Sequence, residues 1–197
     1  KTLNNLGGVY LNDEDYVNSF DSYFKAMEIF QEIGDKKGIL VALYSLSFYH
    51  LTEGTAELAK GNKISGEEKI NQSLDYSING YDLAENIGAL KDLLKFSIVR
   101  YLANISLKQL DEARKYVSEI IRLRFQDLQL NYFSLSEREK ELYFATMEKD
   151  FGFYNDFTVF SHSKYPLLAD TAFTIALQNK GITLKSSTAL RVSIHNS

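Results

Sequence analysis

Apolar side chains return every three or four residues through most of this chain. At the start, Leu3, Leu6 and Tyr10 fall at i, i+3 and i+7, the spacing of one helix face. The same period runs through Phe20, Phe24, Ile29 and Ile33, then Leu43 and Leu46, then Leu74, Ile78, Leu83 and Ile87. It continues from Leu93 to Ser106 and through Leu110, Ala113, Val117 and Ile120. From Asp127 the character changes. Ser136-Glu-Arg-Glu139 has the form of a capping box, in which the serine hydroxyl and the glutamate carboxylate each take a backbone N–H at a helix start. A long amphipathic helix should follow, with Leu142, Tyr143, Met147, Phe151, Tyr154, Phe157, Val159 and Phe160 as its apolar members. The pattern breaks over Ser161–Tyr165, and Pro166 suits the first turn of another helix, where its missing N–H costs nothing. Leu167, Leu168, Ala172, Ile175, Ala176, Ile182, Leu184, Leu190 and Ile194 make that helix's stripe. The expected fold class is all-α.

The pattern repeats. Residues 19–40, SFDSYFKAMEIFQEIGDKKGIL, align without gaps on residues 73–94, SLDYSINGYDLAENIGALKDLL, at an offset of 54. Ser19 pairs with Ser73, Asp21 with Asp75, Ala26 with Gly80 and Gly34 with Gly88. Leu3-x2-Leu6-Gly7-x2-Tyr10 followed by Ser19-x3-Tyr23-x2-Ala26 resembles the tetratricopeptide repeat (TPR) signature in residue type and spacing. Gly7 then marks a close helix crossing, Ser19 and Ala26 permit the same approach from the other side, and Tyr23 fills the space between. Leu43-x2-Leu46-Ser47 repeats the first motif at an offset of 40, with His50 in the slot of Tyr10. Because the offset grows from 40 to 54, about 14 residues are inserted near 52–67. That stretch, TEGTAELAKGNKISGE, carries three glycines, and it reads as an extended inter-helix connection that could include an extra helical turn. A third hairpin over Leu93–Ile120 shows a turn one residue shorter than the first. A helical hairpin cannot bury both faces alone and must stack on a neighbour. The resemblance therefore implies a TPR-like solenoid over 1–126, with 127–197 as a pair of long helices capping it.

The order of hairpins followed by FSLSEREKELYF, FGFYNDFTVF and LQNKGITLKSSTALRVSI resembles bacterial proteins that join TPRs to a caspase-like CHAT peptidase. In that resemblance 132–194 corresponds to the helical linker before the peptidase, with Lys180-Gly181-Ile182-Thr183-Leu184-Lys185-Ser186-Ser187 as its typical passage. The catalytic His and Cys of such a peptidase would lie after Ser197. The chain opens on Lys1 and closes inside a helical pattern with no C-cap glycine, which reads as a segment of a longer protein.

Composition narrows the function classes. Pro and Gly together make 12 of 197 residues, about half the usual share of roughly 12%, too little punctuation for a β-sandwich or barrel. No cysteine is present, so thiol nucleophiles, Cys-ligated zinc and disulfides are excluded. No apolar run approaches the ~20 residues of a membrane span, and a cytoplasmic location is the default expectation. A net charge of −4 gives no general attraction to nucleic acid or anionic membrane. The local basic cluster of Arg114, Lys115, Arg122 and Arg124 is expected to serve as a solvated or dipole-compensating helix face. His50 could act as a groove-lining base, but no acid stands at a telling spacing and a packed histidine is the favoured reading. His162 and His195 are expected to be solvated. Neither a zinc nor an EF-hand spacing occurs, and Leu6-Gly7-Gly8 follows no strand, so no cofactor is expected.

What is left is a non-catalytic interaction module. Carried over by position, the TPR resemblance turns Asn4, Gly8, Tyr44 and Phe48 toward a concave groove, with Phe96 and Arg100 added by the third hairpin. Such an aromatic set suits a protein or peptide segment with apolar anchors, and it differs from the Lys/Asn-rich set that grips a terminal carboxylate. The expected function is a protein–protein interaction scaffold that regulates or recruits partners to a CHAT peptidase. A TPR sensor region of a bacterial signalling protein is the alternative.

Overall fold

The computed structural model describes residues 2–131 and 135–169. Seven helices run along them: α1 (Thr2–Asn12), α2 (Tyr16–Glu32), α3 (Lys36–Ala59), α4 (Lys63–Asn86), α5 (Leu90–Ser106), α6 (Leu110–Asn131) and α7 (Glu137–Phe160). No strand occurs among the described residues, and none of their helices is long and apolar enough to cross a membrane. The chain forms two compact units, Lys1–Leu135 and Ser136–Ser197. The boundary expected at 126/127 falls inside α6, whose Asp127 and Leu128 are buried.

Each of the five connections from α1 to α6 is three residues long, and all are built alike. The residue at the centre of each is left-handed: Glu14, Gly34, Gly61, Gly88 and Lys108. The N–H after it donates back across the turn, from Asp15 to Tyr10, Asp35 to Phe30, Asn62 to Glu57, Ala89 to Ala84 and Gln109 to Asn104, at 2.8–2.9 Å. This is the Schellman closure of a helix C-terminus. Asp15 and Asp35 then cap the next helix by accepting from Asn18 N and Gly38 N. The turn of the third hairpin is thus the same length as that of the first, correcting the shorter one expected.

Close crossings hold the hairpins together. A Cβ on Gly7 would lie 2.6 Å from the Tyr23 ring, so the glycine lets α2 approach. The Ser19 hydroxyl donates to Gly7 O at 2.9 Å, and one hairpin later Ser73 donates to Ser47 O at 2.6 Å. These four residues are the ones aligned by the sequence offsets, so the repeat is also a repeated hydrogen bond. In the third hairpin Ala113 takes the serine's place, and the buried Ser97 hydroxyl has no partner.

The insertion is helix, not loop. Helices α3 and α4 have 24 residues each, against 17 in α2 and in α5, so about 14 extra residues divide into seven on each side, close to two turns. Gly54 and Gly66 sit inside the lengthened helices, where a Cβ on either would come 2.9 Å from the other's carbonyl oxygen. Only Gly61 belongs to the turn. Glycines read as loop markers are here a crossing point, because a backbone approach this close leaves no room for a side chain.

Helix α3 packs on α2 and α4, and α5 on α4 and α6; α1 also touches α3, and α3 touches α5. No comparable contact joins α2 to α4. The core between the layers holds Leu40, Leu43, Ala84 and Phe96, then Leu51, Ile70, Val99 and Ala103, then Tyr23, Leu46 and Tyr49.

In the second unit the capping box is present: Glu139 N donates to Ser136 Oγ, and Ser136 N donates to Glu139 Oε2 at 2.8 Å. Met147, Phe151, Tyr154 and Phe157 are buried, whereas Leu142, Val159 and Phe160 are exposed. The apolar stripe is therefore narrower than expected. Most of the second long helix expected after Pro166, including Ala172–Ile194, lies outside the described residues, and with it the capping pair.

Candidate functional sites on the first unit

The residues expected to line a groove divide into two groups. Tyr44 and Phe48, one turn apart on α3, stack at 6.2 Å between ring centroids. Phe48 is 42% exposed, with Val41 exposed a further turns-width away on the same helix. Lys95 Nζ of α5 lies 5.7 Å from the Tyr44 ring. Asn4 of α1 donates from Nδ2 to Ser45 Oγ at 3.0 Å and is buried, so it ties α1 to α3.

Phe96 and Arg100 face elsewhere. Phe96 is fully enclosed, with the Tyr44 ring edge-on at 6.1 Å. A Cβ on Gly80 would meet Phe96 Cζ at 2.1 Å; Phe96 is a core residue and offers no surface. Arg100 is 9% exposed, its guanidinium carbon 4.4 Å from the Tyr81 centroid and 5.5 Å from that of Tyr116. The physical reason is register. Leu93, Phe96, Ser97 and Arg100 repeat Leu43, Leu46, Ser47 and His50 at an offset of 50. The counterparts of Tyr44 and Phe48 are Leu94 and Ile98, and a shift of two residues turns a helix by about 200°.

His50 occupies the register shared with Arg100. It is 5% exposed and packed among rings: parallel to Tyr76 at 5.4 Å, edge-on to Tyr49 at 4.8 Å and to Phe20 at 5.8 Å. Its Nδ1 is 3.9 Å from Glu53 Oε2, too far for a hydrogen bond, and has no partner. Glu53 is engaged instead by Lys69 Nζ at 3.0 Å. Burial, with the Lys69 charge adding to it, pushes the imidazole down to about 4, so His50 is neutral at physiological pH.

Over His50 opens a pocket of about 360 Å³, lined by Phe20 of α2 and by Gln72, Asp75, Tyr76 and Asn79 of α4. With no α2–α4 contact comparable to those between neighbouring helices, this furrow stays open, with α3 as its floor. The 72, 75, 76, 79 spacing was visible in the sequence as a helix face, but only the separation of α2 from α4 turns it into a wall.

The basic residues of α6 are paired. Lys115 bridges Glu112 at 2.6 Å, Arg122 bridges Glu119 at 2.7 Å and Arg124 lies 3.5 Å from Asp127. Glu119 also accepts from the Tyr81 hydroxyl at 2.7 Å, and Arg122 beside it holds its carboxyl below the usual range. Among the described residues no group of three His, Asp or Glu side chains is placed to hold a metal. No protein-family model, curated protein or solved structure matches the chain.

Proposed function

We propose that the first unit is a TPR-like array that docks a protein or peptide partner along α1, α3 and α5, with no bond-making chemistry of its own. The reading rests on one observation: α3 presents the stacked Tyr44–Phe48 pair, with Phe48 42% exposed, on a helix that touches both α1 and α5. The first helices touch one another in order, α1 with α3 and α3 with α5, which favours a continuous inner face along them. Exposed aromatics on such a surface are the residue types that dominate binding energy. The repeated Ser19–Gly7 and Ser73–Ser47 hydrogen bonds support the TPR reading.

The test is selection of peptides from a displayed library against the full chain, followed by titration with Tyr44→Ala and Phe48→Ala. Loss of about tenfold or more in affinity on Phe48→Ala is expected; selected peptides that bind both variants as tightly as the parent would remove the inner-face assignment.

The linker character of 132–194 extends the proposal to a larger protein in which partner binding controls a CHAT peptidase. A downstream sequence with peptidase His and Cys motifs supports it, and a coiled coil with kinase motifs supports the signalling-sensor alternative. In the peptidase case, deleting the linker should abolish partner-dependent proteolysis.

A further inference from the structure

The pocket over His50 lies on the α2–α4 side, away from the inner face, and its charge is one-sided. Its lining contains one carboxylate, Asp75, and no lysine or arginine. The side chains of Asp75, Gln72 and Asn79 make no hydrogen bond or ion pair among the described residues. The Asp75 carboxylate and the two amides line the opening with their hydrogen-bonding capacity unspent. Deeper in, His50 is 5% exposed and has no hydrogen-bond partner, an arrangement that buried polar groups rarely keep unless something else satisfies them. The rings of Phe20, His50 and Tyr76 form the aromatic part, with His50 and Tyr76 stacked on each other.

An anion or phosphate would meet the Asp75 carboxylate with no lysine or arginine in the lining to offset it, the N–H groups of Gln72 and Asn79 being the lining's only side-chain amide donors. A neutral apolar group would leave the acceptors unmatched. A planar cation fits both halves: aromatic rings attract it through their quadrupoles, and a guanidinium carries five N–H donors in one plane with a weakly hydrated face that stacks. An ammonium has three donors and holds its water more strongly. The volume, about 360 Å³, accommodates a guanidinium and its methylene stem.

We propose that the furrow between α2 and α4 receives an arginine side chain of a protein partner, stacked on Phe20, His50 and Tyr76 and donating to Asp75 and the amide oxygens of Gln72 and Asn79. The site is separate from the inner face and does not depend on it.

The full chain has three histidines, so the His50 ring resonances can be assigned and followed. Titration with an acetyl-Gly-Arg-Gly-amide peptide should shift them saturably. The same peptide carrying citrulline, which keeps shape and loses charge, should bind about tenfold more weakly or worse, as should the arginine peptide to Asp75→Asn. Asp75 is exposed, so that variant keeps the fold. Equal binding of the citrulline peptide, an unchanged affinity in Asp75→Asn, or no saturable shift would overturn the proposal. Binding of methylguanidine with no response to the peptide would overturn the assignment to a side chain and leave a small-molecule site. The inner-face test reads Phe48 variants and selected peptides, so either idea can fail alone.

Discussion

At the scale of single residues, the fold is sensitive where helices touch backbone to ring. Gly80→Ala would gain about 1 kcal/mol of helix propensity, yet its Cβ would sit 2.1 Å from the enclosed Phe96 ring. Overpacking of this kind costs about 1–3 kcal/mol, so denaturant unfolding should show net destabilisation. The left-handed turn residues respond in the opposite sense. Glu14 and Lys108 hold φ of 57° and 60°, where a side chain is strained. Lys108→Gly should therefore raise stability, by about 0.5–1 kcal/mol. His50 carries the pH dependence. Its folded value of about 4 lies below the 6.5 of an unhindered imidazole, so the unfolded chain binds more protons between those limits. Stability contributed by neutral His50 is complete above pH 6.5 and falls as pH drops through the window, by about 2 kcal/mol at pH 5. Unfolding titrations at pH 7.5 and 5 should show that loss, and His50→Phe should flatten it.

At the scale of elements, the long second hairpin behaves as a unit. Glu53 of α3 and Lys69 of α4 pair at 3.0 Å, and Gly54 meets Gly66, so the added turns of one helix have their partners on the other. Removing residues 53–59 and 63–69 together should leave 17-residue helices like α2 and α5 and a cooperative thermal transition by circular dichroism. Removing either segment alone exposes the partner's apolar face and should broaden or abolish that transition. The helices and the repeat were legible from periodicity, since Gly7, Tyr23 and Ser19 each carry a spacing that only a close crossing explains. The nature of the insertion was not. Gly54 and Gly66 look like turn residues in sequence, and only the neighbouring backbone 2.9 Å away makes them interior.

At the scale of the first unit, each helix leans mainly on its sequence neighbours, with smaller contacts of α3 to α1 and α5 and a Tyr81–Glu119 hydrogen bond from α4 to α6. Stability in such an arrangement is a sum of local and nearest-neighbour contributions. Phe96 bridges the second and third hairpins through Gly80 and Tyr44. Phe96→Ala should cost about 3–5 kcal/mol and separate the unfolding of the two sides into resolvable steps, seen by comparing calorimetric and van't Hoff enthalpies.

The sequence by itself determined the helical class, the repeat offsets, the capping box at Ser136 and the crossing residues Gly7, Ser19 and Tyr23, because these depend on spacings of residue types along the chain. Tertiary structure alone decided which face each side chain serves. Phe96 and Arg100 share a helix with the counterparts of Tyr44 and Phe48, yet one is sealed in the core and the other held between Tyr81 and Tyr116. A two-residue difference in register reverses a helix face, and a pocket such as the one over His50 exists only where two helices distant in sequence stand apart. Neither the direction nor the gap is encoded in any local pattern.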